Sequence, residues 1–130
     1  QGDYDQARTI FEDILATQRD TLGEHHQNTL VTQHNLALVL DDQGHLDQAR
    51  TIYEDILDIE HHTLAENAPS TLITRNNLAV VLHSQGHHDL AAAEMAAVLS
   101  ARRRVLGPEH PYTLSTQRWL DTINAARGKP

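Results

Sequence analysis

The chain has 130 residues, 39% of them hydrophobic and only five aromatic, with no cysteine and a formal net charge of −8. That length suffices for one domain, but so few aromatics suit thin repeated layers better than one thick core. Disulfides and thiolate metal sites are excluded, the compartment is left open with a lean to the cytoplasm, no apolar run approaches the roughly 18 residues that cross a membrane, and no signal-peptide pattern is present.

Charge is distributed unevenly. Residues 1–45 carry a net −6, residues 46–87 a net −4 and residues 88–130 a net +2. Such a chain is a poor nucleic-acid binder, because phosphate contacts need many Lys and Arg on one face.

Taken in chain order, the pattern predicts six helices, at about 3–20, 28–43, 46–63, 70–85, 88–105 and 112–126, and no segment with sustained period-two alternation. The 28–43 segment shows the logic. Leu30, Leu36, Ala37 and Leu40 form an apolar stripe at helical spacing, widened by Val31, Leu38 and Val39. Asn28 or Thr29 is expected to cap its start, and Gly44 to stop it in the left-handed conformation. The next stripe is Ala49, Ile52, Tyr53, Ile56 and Leu57. Pro69, Pro108 and Pro111 interrupt the chain ahead of later helices.

These helices belong to a repeat. A shift of 42 residues aligns the chain with itself: 24 of 42 positions are identical between residues 4–45 and 46–87. Asp5-Gln6-Ala7-Arg8-Thr9-Ile10 returns as Asp47-Gln48-Ala49-Arg50-Thr51-Ile52, and Asn35-Leu36-Ala37 as Asn77-Leu78-Ala79. A third copy over 88–129 keeps the frame but has diverged. Two helices cannot bury both faces alone, so neighbouring units are expected to stack.

The residues Asn35-Leu36-Ala37, Leu40, Gly44, Leu46, Ala49 and Tyr53, with Asn77-Leu78-Ala79, Leu82, Gly86, His88, Ala91 and Met95, resemble the tetratricopeptide repeat (TPR) of the kinesin-light-chain type, also common in bacterial signalling proteins. The linker Leu106-Gly107-Pro108-Glu109-His110-Pro111-Tyr112-Thr113 matches that type fully. Leu22-Gly23 with Thr29, and Leu64 with Pro69 and Thr71, match it in part. The resemblance covers essentially the whole chain. It implies an all-α, right-handed α-solenoid of antiparallel helix pairs. Residues 1–130 would be one such domain: an orphan second helix at 3–20, repeats at 28–63 and 70–105, and a C-terminal capping helix at 112–126. Trp119 stands where Asn35 and Asn77 stand, and Asp121 where Ala37 and Ala79 stand; a charge at a tight helix contact is costly, which favours the cap. Gly128-Lys129-Pro130 agrees with a natural end. The opening Gln1-Gly2 reads as the tail of a repeat unit in a longer protein.

In similar repeats the asparagine before Leu-Ala points into a concave groove and grips the backbone of an extended peptide. The resemblance places Asn35 and Asn77 there; an amide can both donate to and accept from a peptide unit. One turn away lie His34, Leu38, Asp41 and Asp42 in one unit and Asn76, Val80, His83 and Ser84 in the next, with Arg118 and Trp119 extending the surface from the last helix. The expected partner is a protein or extended peptide, with no cofactor, no nucleic acid and no membrane. The alternative is self-association through the terminal half-repeats.

The ten histidines read mainly as solvated turn positions. His83 and His87 are four apart, a spacing that can hold zinc, but Gly86 stops the helix between them. Glu60-His61 reads as a surface pair and Arg102-Arg103-Arg104 as a solvated helix end. No catalytic motif is present, so the chain is read as a binding scaffold and not as an enzyme.

Overall fold

The computed structural model describes residues 2–63 and 67–128; Gln1, Leu64, Lys129 and Pro130 of the sequence argument lie outside them. Six helices follow one another: α1 (Gly2–Thr21), α2 (Gln27–Asp42), α3 (Leu46–Thr63), α4 (Pro69–Ser84), α5 (His88–Leu106) and α6 (Pro111–Ala126). Each lies within one residue of its predicted bounds. No strand occurs among the described residues, and the fold class is an all-α solenoid of antiparallel helix pairs.

The chain divides into two compact units, Gln1–Thr63 and Leu64–Pro130. In the first, α2 packs against both α1 and α3; in the second, α5 packs against both α4 and α6. The middle helices are built for two neighbours. In α2, Leu30, Leu36, Ala37 and Leu40 are buried together with Thr29, Thr32 and Gln33. In α5, Ala91, Ala92, Met95, Val98 and Leu99 are buried. Ala37, Ala49, Ala79 and Ala91 are all fully buried, and a methyl side chain lets packed helix backbones approach closely.

Both internal turns are made the same way. Gly44 has φ 85° and Gly86 φ 91°. After α2, the Gly44 amide donates to the Asp41 carbonyl (2.9 Å) and the His45 amide to the Leu40 carbonyl (2.8 Å); after α4, Gly86 and His87 repeat the pattern on His83 and Leu82. A Cβ at either glycine would meet nothing within 4 Å. Glycine is therefore required by its backbone angle and not by crowding.

The helix starts correct the sequence reading. Neither Asn28 nor Thr29 caps α2. The cap is His26, whose Nδ1 accepts from the Asn28 amide at 3.1 Å. His110 does the same for α6, accepting from the Tyr112 amide at 3.1 Å. At the equivalent place before α4 stands Ala68, with no side-chain cap. Thr29 is instead fully buried, as are Thr71 and Thr113 in the other copies.

One buried layer is polar. Glu60 and Arg102, 42 residues apart, occupy the same place in α3 and α5 and are 2% and 6% exposed. Both were read from the sequence as surface groups, and both readings are corrected here. Only Arg103 and Arg104 of the arginine run are exposed. Arg102 donates from Nη1 to Thr116 Oγ1 (2.9 Å) and to the Tyr112 carbonyl (3.4 Å), and its guanidinium carbon lies 5.3 Å from the centre of the Tyr112 ring. Its charge is held by neutral oxygens and an aromatic face.

Candidate functional site

In the first unit the candidate residues lie on α2. Leu38 and Asp42 are exposed; His34, Asn35 and Asp41 are half-buried. Val31, one turn before Asn35, is also exposed. The Asn35 amide makes no side-chain hydrogen bond among the described residues, so both its donor and its acceptor stay open. His34 sets its ring edge-on to Tyr53, with centroids 5.4 Å apart at 70°. Burial holds its imidazole below the ordinary value of 6.5, while the nearby Glu60 carboxylate pulls the other way. At the far end of the helix, burial and then the neighbouring Asp42 push the Asp41 carboxyl above its ordinary range. Burial, then Asp41 and Asp42, also push the Tyr53 phenol up, so its hydroxyl stays neutral.

In the second unit α4 and α6 bring their candidates together. Asn76 Oδ1 lies 3.2 Å from the Thr116 hydroxyl, which also accepts from Arg102. Thr116 also lies 3.0 Å from the Tyr112 carbonyl, so its one proton has two acceptors in reach. His83 sits edge-on to Trp119, with ring centroids 6.2 Å apart at 72°. Val80 and Trp119 are half-buried, and Ser84 and Arg118 are exposed. Asn77, unlike Asn35, is engaged within the protein.

The histidine pairing differs from the one the spacing suggested. His83 meets His88, not His87, with Nδ1 to Nδ1 2.9 Å. α5 begins directly after the Gly86 turn, which carries the first ring of the new helix back against the last turn of α4. One ring must donate and the other accept, so the pair is intact only while at least one imidazole is neutral. Burial and then His88 hold His83 below 6.5. Among the described residues no three His, Cys, Asp or Glu side chains form a group that could hold a metal ion, and no helix is long and apolar enough to cross a membrane.

Three contributors were missed from sequence: His88, Thr116 and Arg102. Only the 42-residue frame carried a signal for Arg102, by placing it over Glu60 and Gln18. Each unit's surface is mixed: in the first, exposed Val31 and Leu38 flank the Asn35 amide on α2, with carboxylates at that helix's end; in the second, α6 presents an indole and a guanidinium beside the amides of α4.

Two tetratricopeptide-repeat family models match the chain, over residues 1–60 and 71–112. No curated protein matches it. Among solved structures, the nearly identical TPR-like repeats of a proposed kinesin light chain from Podosopora anserina, in two forms, superpose with a TM-score of 0.91 at 28% identity. They cover 98% of this chain, which spans 60% of theirs. BtubC (BKLC) from P. vanneervenii shares the fold, with a TM-score of 0.87 at 22% identity over 98% of this chain and 51% of its own. The turns, the buried alanines and the 42-residue frame agree with these matches: the chain belongs to the tetratricopeptide-repeat proteins and is structurally close to those of the kinesin-light-chain type.

Proposed function

We propose that the chain is a protein-binding scaffold of the cytoplasm, which takes extended polypeptide on the candidate face of α2 in the first unit and on that of α4 and α6 in the second. One observation carries this reading. On α2 an open amide, Asn35, stands between two exposed aliphatic side chains, Val31 and Leu38. The amide suits a peptide backbone, and the aliphatic groups suit alternate side chains of an extended strand. On α2, Asp41 and Asp42 would favour a ligand with a basic residue, and on α6 Arg118 would favour one with an acidic residue.

The test is selection from a displayed peptide library against the intact chain, followed by titration of the best binder. Asn35→Ala with Asn77→Ala is expected to weaken it at least about tenfold, a loss of hydrogen bonds to a buried peptide unit, with helical circular dichroism unchanged. Equal binding by the double variant would sink the assignment of these faces. Self-association is the second reading, favoured by the exposed apolar side of α1. Light scattering across concentration separates the two.

A further inference from the structure

Three rings meet in the second unit without being required by the repeat. His83 lies in the last turn of α4, His88 opens α5, and Trp119 stands midway along α6. The residues 42 positions earlier are Asp41, Leu46 and Asn77, so the stacking of helix pairs does not depend on this trio. The two imidazoles touch Nδ1 to Nδ1 at 2.9 Å, with centroids 4.8 Å apart, and His83 is edge-on to the indole. All three rings are half-buried, so protons and ligands have access to them.

The charged groups of the packed elements are engaged elsewhere. Arg75 of α4 binds Glu94 of α5 at 3.0 Å, Asp89 of α5 binds Arg127 at 2.8 Å, and Asp121 of α6 accepts from Gln117 at 3.0 Å. Exposed His87 and Arg118 flank the cluster in sequence, and neither His83 nor His88 forms an ion pair among the described residues. The protonation of the pair is therefore decided by the two rings themselves. One N–H between the two nitrogens holds them together, and a first added proton keeps a charge-assisted contact. A second proton leaves a hydrogen on each Nδ1, and a 2.9 Å contact has room for only one.

We propose that the His83–His88 pair is a proton-linked subsite of the α4–α6 face: with both rings charged they part and receive an acidic residue of the bound polypeptide. The inference rests on the reading of that face as a ligand surface. A carboxylate between two imidazolium rings relieves their repulsion, so binding takes up protons and tightens as pH falls. Burial and then His88 hold His83 below 6.5, which puts the second protonation beneath that value. A ligand Asp or Glu, with an ordinary value of about 4, is still ionised there. A neutral or basic ligand residue gains nothing from the same protons.

Trp119 is the only tryptophan of the chain, and a charged imidazole against an indole quenches its emission. Fluorescence of the intact chain thus reads the pair with no ligand present. Emission is expected to change between pH 7.5 and 5 with an inflection below 6.5. The inflection should vanish in His83→Gln and move to higher pH in His88→Gln, where the neighbouring charge is gone. Peptides are then selected from a displayed library at pH 5.5, and the best binder is titrated at pH 5.5 and 7.5, with helical circular dichroism unchanged between the two. It is expected to carry Asp or Glu and to bind at least about tenfold more tightly at pH 5.5. Most of that difference should disappear in the His83→Gln chain, and also when the acidic ligand residue is replaced by its amide. His25→Gln, at an exposed histidine of the first unit, should keep the full difference, which separates the pair from a general fall in negative charge. Emission with no inflection, or an inflection that persists in His83→Gln, overturns the proposal. A binder with equal affinity at both pH values removes the subsite alone, whereas a chain that binds no library peptide at either pH loses the ligand face and the subsite together.

Discussion

α1 and α6, the first and last of the six helices, present surfaces of different chemistry. On α6 the positions equivalent to Gln33, Ala37 and Leu40 are Gln117, Asp121 and Asn124. These polar groups are tied together: Gln117 donates to Asp121 (3.0 Å) and accepts from Arg103 (2.7 Å), and Arg127 donates to Asn124 (3.0 Å). On α1 two aliphatic side chains, Ile10 and Ile14, are exposed. The exposed side of α6 is thus polar and internally hydrogen-bonded, whereas that of α1 carries aliphatic side chains.

The largest expected effect probes that contrast directly. Ala37→Asp places on α2 the residue that α6 tolerates, but in a fully buried contact. A loss of about 3 kcal/mol or more is expected in chemical denaturation. The matched truncations follow: Ile56→Ala should cost about 2–4 kcal/mol, whereas Ile14→Ala should cost under about 1 kcal/mol. If the two isoleucines cost the same, α1 is more fully packed than its exposure indicates. In the other direction, Asp121→Ala with Asn124→Leu removes the hydrogen bonds from Gln117 and Arg127 and should change stability by under about 1 kcal/mol in the same denaturation.

Acid should act on both units. His34 and His83 are held below 6.5 in the folded chain, so the unfolded chain binds more protons than the folded one as pH falls through that value. Their contribution to stability is complete above about pH 7 and is lost progressively below about 6.5. The melting temperature should therefore fall between pH 7.5 and 5.5, and His83→Gln should flatten part of that slope. The smallest effect concerns capping. Ala68→Ser supplies the acceptor that α4 lacks and should stabilise by about 0.5–1 kcal/mol, while His26→Ala should cost about as much.

The helices and turns were legible because they are encoded locally and repeated. Apolar spacing marked each buried stripe, and Gly44 and Gly86 marked each reversal. The caps were not legible, because an imidazole is an unusual acceptor at a helix start and the better side chains, Asn28 and Thr29, lay two and three residues on. Glu60 and Arg102 misled for a related reason. An isolated charge next to His61, or inside an arginine run, reads as solvated, and only superposing the copies shows that it occupies a buried layer. Of the candidate site, the helix positions and their alternation were readable, since they follow from period and frame. The His83–His88 contact and the Thr116 bridge depend on how one helix meets the next, which spacing along the chain does not encode.

The strongly packed pairs are α1 with α2, α2 with α3, α4 with α5 and α5 with α6. Every one joins elements adjacent in the chain, so each can form by closing a short loop with little entropy to overcome. Folding should then be fast for a protein of this length, on the order of microseconds to milliseconds as in other helical chains of low contact order. Pulled from its ends, such a molecule should yield in steps of one or two helices rather than in a single rupture.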